Sequence, residues 1–484
     1  MSDQSAAMGA PARVSAPALW LDTSASARLR CGGMSEFRPA LRNPWWIPPF
    51  LGGVPNVEPD LISVLGLVAL ALFFEQYDNS LLTAALKFIA ADLGLTEGGL
   101  GGFLALIRLG AVPAFLIVPF ADRIGRRRVF LGAVLVFSIG TLVTAFAQTP
   151  AQFVAAQAVT RTFMLTASAI AFVIVTEEFP ALHRGWAIGM LGALSSCGNG
   201  LGAALFAAIE RLPFGWRGLY AVGLVPLLLL PLLRRRVHET RRFNEHQAAE
   251  GPMRGGGLAG WYRPLARLAR TYPGRALGVA AAGGLMAIGE SAVFEFTGYF
   301  TLTVHHWSPA EFSLMFILGG AVGIIGNVVA GRLGDRIGRR TIGFLFLALF
   351  PLFAWLFYHG PGWTLPIAWT LFVFCNTAGG VVVRAFSTEL FPTSYRGTSA
   401  AWLSLVQAVG WAVGLALVGL GTAAGANIAR MTSLIALVVL VAAIALLALP
   451  ETYRQELEAI SDDEERVAVV APQGVNETKQ LGGR

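Results

Sequence analysis

Six ionisable residues, Glu75, Asp78, Arg108, Arg161, Glu290 and Glu295, stand inside long apolar runs of a 484-residue chain. Insertion scales put the cost of a charge at the bilayer centre at about 2.5 to 3.5 kcal/mol. Groups so placed have to be paired, protonated or bathed by a water-filled cavity. The chemistry open to them is proton binding, buried ion pairing and recognition of a charged solute. No nucleotide-binding glycine loop, metal-ligand cluster or nucleophile constellation rises above chance in the sequence. The reading is therefore neither an enzyme nor an ATP-driven pump, and no cofactor or metal is implied.

Spacing sorts the six. Counted inward at about 1.5 Å per residue from the ends that carry little positive charge, Asp78, Arg108 and Arg161 lie roughly 12 to 15 Å deep, with Glu75 one turn deeper. Glu75, Asp78, Asn79 and Thr83 share a helix face by the i, i+3, i+4, i+8 rule, and Gln157 lies one turn from Arg161. Asp78 is thus expected to pair with Arg161 or Arg108, two acids balancing two bases. The run holding Glu290 and Glu295 has no such balance, because Arg384 lies nearer the opposite end and the next run offers no base at their depth. A buried carboxyl without a counter-charge favours its neutral form, which is what a proton carrier needs. Glu290 or Glu295 is the expected proton site, with Glu75 and Asp78 next. Asn199, Asn376, Trp402, Gln407, Tyr77 and Tyr299 are further residues available to line a cavity, each more readily explained as packing.

The elements that must position these groups follow from composition. Hydrophobic residues make up 55% of the chain and charged residues 13%, with mean hydropathy +0.62; a soluble domain carries roughly twice that share of charge. Runs of about 20 apolar residues, the length of a bilayer span, number twelve. They cover 61–88, 100–120, 129–147, 152–176, 186–209, 217–233, 275–302, 312–330, 341–358, 364–386, 398–420 and 429–449. Each must be helical, because in hydrocarbon every backbone N–H and C=O has to be satisfied within its own segment. The fold class is all-α and polytopic. The organisation expected is an N-terminal extension 1–57, a six-helix half 58–233, an inter-half loop 234–274, a second half 275–449 and an acidic tail 450–484.

Arginines crowd the loops after the second, sixth and eighth runs, while the loops after the third, seventh and ninth have no Lys or Arg. By the positive-inside rule both termini are cytoplasmic, in a multi-pass protein of the inner or plasma membrane. The net charge of +7 then reflects topology rather than nucleic-acid binding. The expected partners are a small-molecule substrate, protons and the lipid bilayer, with the chain functional as a monomer. Cys31, Cys197 and Cys375 form no C-x-x-C pair and imply no disulfide framework. The first 60 residues lack the pattern of a secretory signal, and Met34 offers a second start. Trp45 and Trp46 precede the first run where amphipathic rings favour the membrane interface. The tail beyond Pro450 reads as a short helix followed by disorder.

Two motifs are written twice. "VPFADRIGRRRVFLG" (118–132) returns about 213 residues later as "AGRLGDRIGRRTIGF" (330–344), and "TEEFPALHRGWA" (176–187) returns as "TELFPTSYRGTSAAW" (388–402). Two halves related by a parallel repeat are a known transporter architecture, with the substrate site near midplane between them. On these residues the chain resembles the major facilitator superfamily. The family's G-x-L-a-D-R-x-G-R-R loop is complete at Gly331, Leu333, Asp335, Arg336, Gly338, Arg339 and Arg340. In the first half Val118 and Phe120 replace the Gly and Leu, while Asp122, Arg123, Gly125, Arg126 and Arg127 remain. The E-x-F-P-x-x-x-R-G motif, with "LPETYRQELEAI" (449–460) and its weaker echo "VHETRRF" (237–243), is similar to the sugar-porter and organic-ion-transporter branches.

The repeated turns suggest cross-half latches on the cytoplasmic side. Helix N-termini carry unpaired N–H groups and partial positive charge, so Asp122 is expected to cap the eleventh helix near Thr398 and Asp335 the fifth near Trp186. Arg126, Arg184, Arg339 and Arg396 are expected to join this gate by pairing with Glu177, Glu178 and Glu389, contacts that would break as the inside opens. The resemblance implies a secondary active transporter working by alternating access, read here as proton-coupled symport of a small organic solute. Two alternatives are efflux of a cationic or drug-like compound, suited by surplus acids but opposed by the missing Pro in the fifth helix, and a transporter-like receptor.

Overall fold

A computed structural model describes residues 54–55, 57–240 and 257–452. Trp45, Trp46, Cys31 and the tail from Tyr453 onward lie outside these residues. Among the described residues, twelve helices are long and apolar enough to cross a bilayer. They are α1 (Pro59–Asp92), α2 (Glu97–Ile124), α3 (Arg126–Ala145), α4 (Pro150–Glu178), α5 (Leu182–Phe206), α6 (Gly215–Arg236), α7 (Pro273–Thr303), α8 (Pro309–Ile337), α9 (Arg339–His359), α10 (Gly362–Glu389), α11 (Arg396–Ala423) and α12 (Ile428–Leu447). Each contains the core of one of the twelve apolar runs.

Three helices begin at a short polar cap, two of them ahead of proline. Thr149 accepts from Gln152 N ahead of Pro150, Ser308 and Glu311 form a reciprocal capping box ahead of Pro309, and Asn427 accepts from Arg430 N. Such caps contribute about 1 kcal/mol each, and Pro at the first position forfeits only an N–H that had no partner. All three sit at the arginine-poor end of the bundle. At the other end, Gly125 (φ +109°) and Gly338 (φ +119°) stand immediately before α3 and α9, in a backbone region that L side chains rarely adopt.

Among the interrupted helices, the two that carry Arg108 and Glu295 break beside those residues. α2 loosens into turns at Gly110–Pro113 after Leu109, where Pro113 and then Pro119 withdraw backbone donors. α7 breaks at Phe296, between Glu295 and Thr297. A further helix, Gly257–Thr271, lies in the inter-half loop and packs on α7 and α11.

Packing follows the sequence repeat. Within the first half α1 packs on α5 and α3 on α4; within the second α7 packs on α11 and α9 on α10. Between halves α2 packs on α11 and α5 on α8, a two-fold arrangement completed by α1 against α7. Glycine sets how near they come. A Cβ on Gly101 of α2 would lie 2.2 Å from the backbone nitrogen of Gly419 in α11, and one on Gly298 of α7 would lie 2.4 Å from the carbonyl oxygen of Thr83 in α1.

Candidate transport site and its gates

The close approaches of α2 to α11 and of α7 to α1 determine which charges meet. Arg108 is two turns from Gly101 along α2, and Trp411 two turns from Gly419 along α11. The Arg108 guanidinium lies 4.5 Å from the centroid of the Trp411 ring. Glu295 is the residue before the α7 break, three positions from Gly298. Its carboxylate forms an ion pair with Arg108 and accepts from Thr83 Oγ1 at 3.1 Å. The Glu295 side chain is 1% exposed and that of Arg108 13%.

This pair overturns the expectation that α7 has no base in reach. Depth counted along each helix located Arg108 correctly, but only the packing of α2 against α11 turned it toward the second half. The premise for Glu295 as a proton site falls with it. Glu290, one turn and a half away, accepts from Asn376 Nδ2 at 2.9 Å, and Arg384 and Arg108 are its charged neighbours. Arg384 is exposed although it lies inside α10.

In the first half, Asp78 meets Arg161 rather than Arg108. Asp78 Oδ1 accepts from Thr141 Oγ1 at 3.2 Å and Gln157 Nε2 at 3.4 Å. Its Oδ2 lies 3.7 Å from Arg161 Nη2, within ion-pair range, while neither atom has a hydrogen-bond partner. Arg161 Nη1 donates instead to Asn79 Oδ1 at 2.7 Å. Gln157 is fully buried and also donates to Thr144. Glu75 has one buried carboxylate oxygen without a partner, and Ser168 and Arg161 are its polar neighbours. The surplus of acids read from the sequence narrows: Glu75, Asp78, Glu290 and Glu295 face Arg108, Arg161 and Arg384.

Several proposed lining residues serve packing. Tyr77 OH donates to Leu219 O at 2.8 Å, Trp402 Nε1 to Ala276 O at 3.1 Å, and Asn199 to Gln76. Trp411 and Thr141 are the site residues that carried no signal of their own, since an aromatic or a threonine in an apolar helix is ordinarily core; Thr83 was already marked by its place on the face of Glu75 and Asp78.

The cross-half bonds on these helices gather from midplane toward the arginine-poor end. Outward of Arg108 and Glu295, Lys87 Nζ donates to Leu302 O at 2.7 Å, Phe206 meets Phe312 edge to face, and Glu97 accepts from Ile428 N at 3.2 Å at the start of α12.

The arginine-rich end is arranged differently from the expected latches. Asp122 lies 3.0 Å from Arg126 and Asp335 3.4 Å from Arg339, each within its own turn, and their side chains are 56% and 68% exposed. Neither α5 nor α11 has a side-chain cap, so the latches are not made in this conformation. Arg126 does pair with Glu177 at 3.2 Å, and Arg339 with Glu389. These pairs join α3 to α4 and α9 to α10, inside one half, and they stand while the latches are apart. They therefore hold each half together rather than tying one half to the other. Glu178 ends α4 beside Glu177. Arg184 and Arg396, in the first turns of α5 and α11, each leave a buried Nε without a hydrogen-bond partner.

The E-T pairs after α6 and α12 complete these clusters. Glu239 accepts from Arg127 N at 3.1 Å, and Glu451 accepts from Arg339 N and Arg340 N, both at 3.0 Å. Thr240 donates to Glu177 at 2.5 Å and Thr452 to Glu389 at 2.8 Å. Each Glu caps a helix whose preceding residue is a glycine, and a Cβ there would meet the carboxylate, 2.3 Å from Glu239 Oε2 at Gly125 and 3.0 Å from Glu451 Oε2 at Gly338. The carboxylates seen capping helices here are Glu239 at α3 and Glu451 at α9, each within one half, and not the motif aspartates at α11 and α5.

Comparison with known proteins agrees with this architecture. The sequence profile of the Major Facilitator Superfamily matches residues 68–414 and 279–480. The chain is similar to a gallate transporter of Pseudomonas putida, 26% identical over 417 residues that cover 80% of this chain and 91% of the relative. It is similar to a 4-hydroxybenzoate transporter of Pseudomonas aeruginosa, 25% identical over 392 residues, 73% of this chain and 86% of the relative. The inward-open structure of the E. coli xylose transporter matches 83% of this chain and 99% of its own with a TM-score of 0.65 at 19% identity, a likeness of fold.

Proposed function

Because this chain belongs to the Major Facilitator Superfamily and is a secondary transporter of small organic solutes, we propose that it imports aromatic carboxylates together with protons. The arginine-rich end is read as cytoplasmic, so the conformation described is inward-open, in the cell membrane. The observation that carries the coupling is the loose Asp78–Arg161 pair. A carboxylate 1% exposed, with one oxygen unbonded 3.7 Å from a guanidinium, is held by charge more than by hydrogen bonds. Protonating Asp78 removes that attraction and leaves Arg161 tied to α1 through its hydrogen bond to Asn79, which loosens the contact between α1 and α4.

The substrate class is supported by the chemistry of the buried site and by the relatives. Arg108, Arg161 and Arg384 supply guanidinium forks suited to carboxylates, and Trp411 supplies an aromatic face; similar chains carry gallate and 4-hydroxybenzoate. Cation efflux is disfavoured, because the acids that would attract a cation stand among these arginines and two of them, Asp78 and Glu295, are ion-paired. Uptake of a labelled panel of benzoates, sugars and organic cations into proteoliposomes, with and without an inward proton gradient, tests the reading. Accumulation of benzoates that follows the gradient is expected. Gradient-independent uptake removes the coupling, and accumulation of sugars or cations alone removes the substrate class.

A further inference from the structure

Arg108 and Glu295 make the innermost cross-half ion pair described, and proton coupling at Asp78 leaves them without a task. Their surroundings are those of a carboxylate receptor. Arg108 offers a planar guanidinium with one face near Trp411, and its Nε is buried without a hydrogen-bond partner. Thr83 adds a hydroxyl donor aimed at the same carboxylate. The carboxylate in place belongs to the protein itself, on Glu295.

The parts are divided between the halves. Arg108 and Thr83 belong to α2 and α1; Glu295 and Trp411 belong to α7 and α11. Opening the arginine-poor end draws α1 and α2 away from α7 and α11, so Glu295 leaves while Arg108 and Thr83 stay together. An isolated guanidinium in apolar surroundings is costly unless another anion or water replaces the partner. When that end closes, α7 returns Glu295 to the same guanidinium. Glu290, whose charge also acts on Arg108, adds to the negative field there.

Resting on the aromatic-carboxylate reading, we propose that Arg108 and Thr83 recognise the substrate carboxylate, and that Glu295 is a resident competitor which reclaims Arg108 on closure and evicts the substrate toward the open, arginine-rich end. The ring of an aromatic acid held this way lies between Arg108 and Trp411, so it is retained only while the halves are partly apart. Eviction gives import its direction without any contact to the far end of the substrate.

The test is binding of benzoate and 4-hydroxybenzoate to the purified full chain in detergent, with 4-hydroxybenzamide as the uncharged control. Glu295→Gln keeps the shape but gives up the competing charge, and should tighten carboxylate binding at least about fivefold, the lower end of coupling between two ligands, while leaving the amide unchanged. Arg108→Lys keeps the charge but loses the planar fork and should weaken carboxylates selectively. Should Glu295→Gln not fold, Glu295→Asp withdraws the carboxylate by one methylene and should tighten binding to a lesser degree. Unchanged or weaker carboxylate binding in the folded Glu295 variants overturns the inference while wild-type binding leaves the substrate reading standing. If neither wild type nor Glu295→Gln binds any carboxylate, the substrate reading fails and this inference with it.

Discussion

Removing the Glu451 carboxylate asks whether the chain beyond α12 clamps the start of α9. The backbone N–H groups of Arg339 and Arg340 each donate to it at 3.0 Å, in the first turn of a helix whose N-cap, Gly338, has no side chain to offer. A hydrogen bond to a charged group contributes about 1.5 to 3 kcal/mol, and an anion beside a helix N-terminus about 0.3 to 1 kcal/mol more. One half-buried carboxylate serves both bonds, so the low end applies, about 3 kcal/mol for Glu451→Ala. Glu451→Gln keeps an acceptor oxygen without the charge and should lose about half as much. At about 2 to 4 °C per kcal/mol for a unit the size of one half, Glu451→Ala should melt about 6 to 12 °C below wild type, with Glu451→Gln between. Intrinsic-fluorescence melting of the purified protein in detergent reads this. Gly338→Ala, whose Cβ would lie 3.0 Å from Glu451 Oε2, should also lower the midpoint, and less than additively with Glu451→Ala because the two share one contact. A Glu451→Ala midpoint within about 1 °C of wild type would refute the clamp.

For the Asp78–Arg161 pair, Asp78→Asn should abolish proton-driven accumulation yet spare exchange at equal concentrations, and the double variant with Arg161→Gln should be better folded than Arg161→Gln alone, since stranding one buried partner costs about 3 to 5 kcal/mol. Simple addition of the two losses argues against the pair, and retained accumulation in Asp78→Asn returns the proton to Glu75 or Glu290. Accessibility of single cysteines at the two ends should respond in opposite directions to two further changes. Gly101→Val, with a Cβ 2.2 Å from Gly419 N, should hold the arginine-poor end open; Asp335→Asn, by weakening the proposed latch of the opposite state, should favour the arginine-rich end open. Labelling that follows wild type in both variants removes both gates.

The order of residues alone settles the number of spans, their approximate limits and the two-fold repeat, because in hydrocarbon each helix satisfies its own backbone and its hydropathy needs no partner to be read. It also gave the depth of every buried charge, since rise per residue is constant along a helix. Asp78 was legible as a partner of Arg161 or Arg108 for that reason: all three lie at one depth within one half. Rotation about the helix axis and the contact between halves belong to the tertiary structure. Arg108 faces Glu295, and not Asp78, because Gly101 and Gly298 let α2 meet α11 and α7 meet α1 at backbone distance, a choice made by packing across a separation of almost two hundred residues. The same holds for Glu239 and Glu451. The repeated E-T pairs were visible as motifs, but only the return of each half's last helix beside its third showed that their carboxylates cap the glycine-led helices that the motif aspartates leave bare.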